Sequence, residues 1–352
     1  MRRADRRGRL VPALLALACL CGLADAPADA RQVKVGAIAG PSRYLQPMQS
    51  ARDLVRWIEQ ADRDGIRILA TPEAYLGGYP LWNYVEQTIA IKDGEAHKAA
   101  FVDGAIDADG PELKLVRDAA RAHDVAVVVG ANLRGTGGNR YQVFNAVIFI
   151  DEKGAVVGTH RKTSGSHTER QYWAYGDAAS IRPVTLQGLQ VMAVQCWEAR
   201  NPLTVAQIAL AAPDVLFLPT ADFFQPELGG EYLVDMRYIG RNAHTYVLGS
   251  TIMFDWKELE RGQPELAAAW RKVLPDAPML APGGAAAVDA SGAVIEVTKP
   301  FETRLLAATV DTDRIKGSLA LHSVTDHYRL KGDYTLYVDG AKVTGNGPDT
   351  VY

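Results

Sequence analysis

The sequence predicts an α/β fold with one large layered core. Short apolar runs alternate with amphipathic stretches through residues 31–352, and no repeat, low-complexity linker or shift in composition divides this part of the chain. Many of the apolar runs have no polar face, which is typical of strands in sheets that helices cover. Hydrophobic residues make up 48% of the chain and charged residues 22%, so a disordered chain is excluded.

The predicted elements follow one another in order. Residues 33–38 alternate as a strand should, and the segment 47–64 places Leu54, Ile58 and Ala61 on one helical face. Pro111 suits the first turn of a further helix. Strands are also predicted at 66–70, 125–129, 145–150, 191–194, 215–218, 246–253, 285–289, 294–297 and 305–310, with helices at 201–212 and 231–244.

The first thirty residues have the composition of a secretory signal peptide. An arginine-rich start precedes an uncharged apolar run over 10–23, and Ala28-Asp29-Ala30 supplies small residues for cleavage. A membrane anchor is less favoured because this run is shorter than the roughly 20 residues that cross a bilayer. We therefore expect a signal peptide at 1–30 and an exported, periplasmic or secreted chain without a membrane span after processing. Lipid attachment at Cys19 is an alternative.

Composition excludes several functions. The formal net charge of -3 gives no electrostatic reason to expect nucleic acid as a partner. The three cysteines are Cys19, Cys21 and Cys196, too few for a disulfide scaffold, and processing would leave Cys196 alone. The scattered histidines match no zinc pattern, and the glycine pairs continue into no phosphate-binding motif.

Three segments share one local form, an apolar strand that runs into a polar residue and a turn. They end at Glu73, Lys162 and Cys196. Functional groups in open α/β folds gather just past the carboxyl ends of strands, so these side chains could meet as a thiol–carboxylate–ammonium site. Taken singly, each residue has an ordinary alternative. Cys196 would then be a buried inert thiol, Glu73 a solvated loop acid, and Lys162 one of a surface pair with Arg161.

Together the segments resemble the carbon–nitrogen hydrolase superfamily, and within it the nitrilase branch. The matching motifs are Thr71-Pro72-Glu73-Ala74 with Gly77-Gly78-Tyr79-Pro80, then His160-Arg161-Lys162, Cys196-Trp197-Glu198, and a C-terminal Asp326-His327-Tyr328. The resemblance implies an α-β-β-α sandwich of two packed sheets between helix layers over residues 31–330, followed by a polar tail at 331–352. The run Thr163-Ser164-Gly165-Ser166 departs from the usual nitrilase pattern.

The same resemblance implies a role for each site residue. Cys196 would be the nucleophile, Glu73 the general base and acid, and Lys162 the electrostatic stabiliser. Glu169 would support the site, and Tyr79 and Trp197 would lie near the substrate pocket. No cofactor or metal is implied.

The expected function is hydrolysis of a small organic nitrile to carboxylic acid and ammonia, through thioimidate and thioester intermediates on the cysteine. An amidase or a cyanide-hydrolysing enzyme with the same residues is the alternative, and a catalytically silent exported binding protein is a third. The expected partners are a nitrile or amide substrate and further copies of the chain, in a dimer or larger homo-oligomer. The extended stretch at 333–338 in the tail is expected to lie along a neighbouring subunit.

Overall fold

Two six-stranded sheets form the centre of the molecule in a computed structural model that describes residues 32–80, 94–165, 167–221, 230–254, 256–262, 264–273, 281–323, 337–338 and 341–342. The first sheet contains β1 (Gln32–Ala39), β2 (Ile68–Ala70), β3 (Ala126–Arg134), β4 (Val143–Ile150), β5 (Val156–Arg161) and β12 (Arg304–Asp311), in the spatial order β12-β1-β2-β3-β4-β5.

The second sheet contains β6 (Val184–Leu186), β7 (Leu189–Ala193), β8 (Val215–Thr220), β9 (Tyr246–Phe254), β10 (Ala281–Val288) and β11 (Val294–Val297), in the order β11-β10-β9-β8-β7-β6. Both sheets are mixed. The central pairs β1–β2, β2–β3, β7–β8 and β8–β9 are parallel, and antiparallel strands complete each edge.

The described helices are α1 (Pro47–Arg63), α2 (Gly94–Asp103), α3 (Pro111–His123), α4 (Pro202–Ala211), α5 (Tyr232–Ala243), α6 (Trp256–Gly262), α7 (Pro264–Val273) and α8 (Thr312–His322). Four of them cover the outer faces of the two sheets. α1 and α3 pack on the first sheet, and α4 and α5 pack on the second. The predicted α-β-β-α sandwich is confirmed.

The alternation of side chains along each strand divides the core into layers. Val35 and Ala37 of β1 face the second sheet and pack in one cluster with Phe217 and Leu248. Ile38, on the opposite face of β1, packs under the helices. Strands buried on both faces lack the polar alternation of a solvated sheet, which explains why the sequence reads as apolar runs.

The predicted strands and helices overlap observed elements, and several observed elements have no prediction. These are β6, α2, α6, α7, α8 and the two-residue strand Ala341–Lys342. Asp311 is the N-cap of α8, because its carboxylate accepts hydrogen bonds from the backbone N–H groups of Asp313 and Arg314. Its apolar residues do not form a clear stripe, so periodicity alone does not find it.

Two predicted segments lie largely or wholly outside the described residues. These are the signal peptide at 1–30 and most of the tail, including the Asp326-His327-Tyr328 motif. Within the tail, β13 (Tyr337–Val338) pairs antiparallel with β14 (Ala341–Lys342). Among the described residues, no helix has the length and apolar character that crossing a membrane requires.

Candidate active site

Three side chains from separate strand ends converge at the junction of the two sheets. Glu73 follows β2 and Lys162 follows β5 in the first sheet, while Cys196 follows β7 in the second. The structure therefore brings together the three predicted residues. All three are buried, which removes the solvated loop acid and the surface pair as alternatives for Glu73 and Lys162.

The Lys162 ammonium lies between two carboxylates. Its Nζ donates to Glu73 Oε1 at 2.6 Å and to Glu169 Oε2 at 3.0 Å, and it lies 5.7 Å from the centre of the Trp173 ring. Asn145 Nδ2 donates to the same Glu73 oxygen at 2.7 Å. The other carboxylate oxygen, Glu73 Oε2, is buried and has no hydrogen-bond partner among the described residues, so it is available to accept a proton.

The Cys196 thiol faces these carboxylates. Its Sγ and one oxygen each from Glu73 and Glu169 lie within 4.8 Å of one another. Cys196 has a φ of 53°, in the left-handed region that side chains rarely adopt, and it begins the 3-10 helix Cys196–Arg200. This sharp turn after β7 directs the sulfur into the site, and strained backbone of this kind clusters at functional positions.

Burial and the neighbouring charges set the protonation state of each of the three groups. Burial raises the pKa of the Cys196 thiol to about 12, with the nearby Glu73 adding to the rise, so the resting sulfur keeps its proton. Burial also raises the pKa of Glu73, to about 7, against the opposing charge of Lys162. Burial acts to lower the pKa of Lys162, but Glu73, Cys196 and Glu169 outweigh it and hold that pKa well above its usual range. The ammonium is therefore permanent.

The supporting residues occupy different positions. The Tyr79 hydroxyl donates to Glu169 Oε1, and its ring meets Trp173 edge to face, so Tyr79 belongs to the buried site. Trp197 is 43% exposed, and its ring lies against the Arg200 guanidinium. A pocket role for Trp197 stays a prediction.

Two close backbone approaches shape the strand ends that carry the site. A Cβ on Gly130 would collide with the carbonyl oxygen of Pro72, the residue before Glu73. A Cβ on Gly176 would collide with the carbonyl oxygen of Arg161, the residue before Lys162. Because glycine has no Cβ, the backbone at these two positions can pack closely against the segments that lead into Glu73 and Lys162.

Glu198 joins the cysteine turn to the lysine strand. Its Oε2 accepts from the Gln195 backbone N–H and from His160 Nε2, both at 2.9 Å. Its Oε1 accepts from the backbone N–H of Thr163 at 2.6 Å and from the Thr163 hydroxyl at 2.7 Å. Burial would raise the pKa of Glu198, but its neighbour His160 and these hydrogen bonds lower it to about 2. A permanent carboxylate thus fixes Cys196 relative to Lys162.

We expect Glu198→Gln to lower the free energy of unfolding by about 3 kcal/mol at pH 7, because one partner of a buried charged network is lost. A carboxylate with a depressed native pKa contributes stability above its unfolded pKa, and that contribution disappears as pH falls through the native value. The deficit should therefore shrink from about pH 4.5 towards pH 2. Urea unfolding at several pH values measures it, with the exposed Glu265→Gln as control. Equal stability of Glu198→Gln and wild type at pH 7 would refute this network.

Sequence reasoning gave no role to Asn145, Glu198 or Tyr232. Asn145 is a buried polar side chain in an otherwise apolar strand, and that contrast is a readable signal. Glu198 falls inside the cysteine motif, yet its partners come from distant segments. Tyr232 lies in an amphipathic helix, where nothing in the pattern separates it from ordinary core residues.

The carbon–nitrogen hydrolase family model matches residues 34–317, which is most of the chain. A nitrilase of Bradyrhizobium diazoefficiens is 27% identical over 311 residues, covering 87% of this chain and 92% of that protein. A bifunctional nitrilase/nitrile hydratase of Nicotiana tabacum is 26% identical over 275 residues, covering 78% of this chain and 76% of that protein.

Solved structures show the same fold. Nit3 of Saccharomyces cerevisiae, a member of branch 10 of the nitrilase superfamily, superposes with a TM-score of 0.65 at 14% identity, covering 85% of this chain and 97% of that one. An amidase from Nesterenkonia sp. gives a TM-score of 0.55 at 18% identity, covering 81% of this chain and 92% of that one.

Proposed function

Because the chain belongs to the carbon–nitrogen hydrolase family, we propose that this enzyme is a nitrilase converting a small organic nitrile to its carboxylic acid and ammonia. The observation that carries the proposal is the meeting of the Cys196 sulfur with the Glu73 and Glu169 carboxylates around one ammonium. The nitrilase names of the Bradyrhizobium and Nicotiana relatives support the choice of a nitrile over an amide.

The first step is addition of the thiol to the nitrile carbon. Glu73 takes the thiol proton as the sulfur forms its bond to carbon, since a thiol with a raised pKa needs a base beside it. The C≡N electrons move onto nitrogen, and the Lys162 ammonium stabilises the developing negative charge. Protonated Glu73 then delivers the proton to that nitrogen, which gives a thioimidate.

Hydrolysis of the thioimidate completes the reaction. Water adds to the thioimidate carbon, ammonia leaves, and a thioester remains on Cys196. A second water, activated by Glu73, attacks the thioester and releases the acid and the thiol. The hydrogen bond between Glu169 and Lys162 fixes the ammonium throughout the reaction. The hydrogen bond from Asn145 fixes the reacting carboxylate of Glu73.

The rate should depend on ionisation of Glu73. A carboxyl group with a pKa of about 7 is mainly protonated below that pH and cannot take the thiol proton. We expect kcat/KM to rise with pH along a limb with an apparent midpoint near 7, a value that belongs to the coupled site as a whole. A pH–rate profile measures it, and a midpoint near the ordinary carboxyl value of 4.5 would contradict a buried base.

The substrate class is tested by a panel assay. Protein purified without residues 1–30 is incubated with aliphatic, aromatic and arylaliphatic nitriles, with the matching amides, and with cyanide, while ammonia and organic products are measured. Acid and ammonia from nitriles support the proposal. Turnover confined to amides or to cyanide would replace it with the amidase or the cyanide-hydrolysing alternative, and no turnover of any compound would favour a silent binding protein.

A further inference from the structure

A second side chain reaches the reacting sulfur from the helix layer. The hydroxyl oxygen of Tyr232, the first residue of α5, lies 3.2 Å from Cys196 Sγ, which is hydrogen-bonding distance for sulfur. Tyr232 is fully buried. Its position is fixed by its neighbour Arg200, whose guanidinium lies 4.5 Å from the centre of the ring and is itself hydrogen-bonded to Asp235 at 2.8 Å.

The direction of this hydrogen bond depends on the charge of the sulfur. Either atom can be the donor while the sulfur is a thiol. A thiolate can only accept, so the phenol becomes the donor whenever the sulfur carries negative charge. Burial and the adjacent Cys196 raise the pKa of Tyr232 far above its usual value, so the hydroxyl keeps its proton at neutral pH.

We propose that Tyr232 is a catalytic residue whose hydroxyl donates a hydrogen bond to the Cys196 sulfur and stabilises it as a thiolate leaving group. The inference rests on the proposed function, in which Cys196 is the nucleophile. It gives Tyr232 a specific influence on the product, because the sulfur is one of two groups that can leave the same intermediate.

That intermediate forms when water adds to the thioimidate. Its carbon carries sulfur, an amino group, a hydroxyl and the substrate chain. If the C–N bond breaks, the Glu73 carboxylate takes the hydroxyl proton and passes it to the nitrogen, ammonia leaves, and the thioester proceeds to acid. If the C–S bond breaks, the electron pair returns to sulfur, the hydroxyl proton passes to the Glu73 carboxylate, and the amide leaves. A donor on the sulfur favours the second route.

Other groups around the sulfur keep their effect when the phenol oxygen is removed. Lys162 and the Thr220 hydroxyl lower the pKa of the thiol, while Glu73 and Glu169 raise it. The Arg200 guanidinium packs on the ring of Tyr232. Because Tyr232→Phe keeps the ring and its packing on Arg200, the substitution isolates the hydroxyl.

The first readout is the reactivity of the thiol in purified protein, which needs no substrate turnover. We expect Tyr232→Phe to alkylate with iodoacetamide about tenfold more slowly than wild type at pH 8, since loss of one hydrogen bond to the charged sulfur destabilises the thiolate and raises the pKa of the thiol. Tyr246→Phe is the matched control, because it removes a buried phenol oxygen at the start of β9, at the opposite end of the sheet. Thermal unfolding shows whether each variant is folded.

The second readout is the ratio of amide to acid formed from a nitrile that wild type hydrolyses. We expect this ratio to fall about tenfold in Tyr232→Phe and to stay unchanged in Tyr246→Phe. An alkylation rate within twofold of wild type in folded Tyr232→Phe overturns the inference, whatever the product ratio. Slower alkylation of Tyr232→Phe with an unchanged ratio of amide to acid overturns the leaving-group role. If alkylation of Tyr232→Phe is slower but the wild-type protein hydrolyses no nitrile, the proposed function is overturned instead.

Discussion

Cys196→Ala should release no ammonia from any substrate that wild type hydrolyses, because no other described side chain offers a sulfur nucleophile at the site. A loss of at least about 10⁴-fold in kcat is expected, since in the proposed mechanism both covalent intermediates form on this sulfur. The fold should survive. Alanine and cysteine place the same Cβ on a backbone with a φ of 53°, so the substitution adds no strain at the turn.

Ammonia release measured at equal protein concentration is the assay, and thermal unfolding verifies that the variant is folded. Ser250→Ala serves as a control, because it removes a buried hydroxyl from β9 and leaves the thiol in place. Folded Cys196→Ala with more than a few per cent of wild-type activity would rule out the covalent mechanism.

Lys162→Gln should lower kcat by about 10²–10³-fold or more, because the only ammonium between the two described carboxylates is lost. The glutamine amide can still donate a hydrogen bond, but it carries no charge to oppose the negative charge that the proposed mechanism places on the nitrile nitrogen. The two buried carboxylates lose their shared cation as well, so one of them should take up a proton and the variant should be less stable.

Steady-state kinetics on nitriles measure this loss, with KM expected to change much less than kcat. Lys114→Gln is the control, because Lys114 forms an exposed ion pair with Asp118 within α3, and such pairs contribute little. If Lys162→Gln reacts within a factor of a few of wild type, Lys162 has a structural role and the nitrogen charge is stabilised by another group.

The sequence is sufficient to predict the layered architecture because buried strands and helices have characteristic local patterns of apolar residues. Strands with both faces covered appear as apolar runs, and α1 shows its buried face through Leu54, Ile58 and Ala61, all of which lie in the core. α8 escapes prediction because it depends on an N-terminal cap at Asp311 more than on an apolar stripe.

The candidate site is predictable to the extent that its residues follow strands. Glu73, Lys162 and Cys196 each stand just past a strand end, and Glu169 and Tyr79 come from the family resemblance; all five lie in one buried cluster. Contacts between distant segments leave no periodic signal. The hydrogen bond between Tyr232 and Cys196 joins a helix to a strand end 36 residues away, so only the three-dimensional structure identifies it.

The central claim is that a nitrile becomes covalently attached to Cys196 on its way to the acid. The direct measurement is mass spectrometry of enzyme quenched with acid during turnover of a nitrile, followed by peptide mapping. The account predicts a mass increase equal to the thioimidate or thioester of that substrate, confined to the peptide that contains Cys196 and absent in Cys196→Ala. An adduct on a different residue, or an adduct of the same mass in Cys196→Ala, would contradict it.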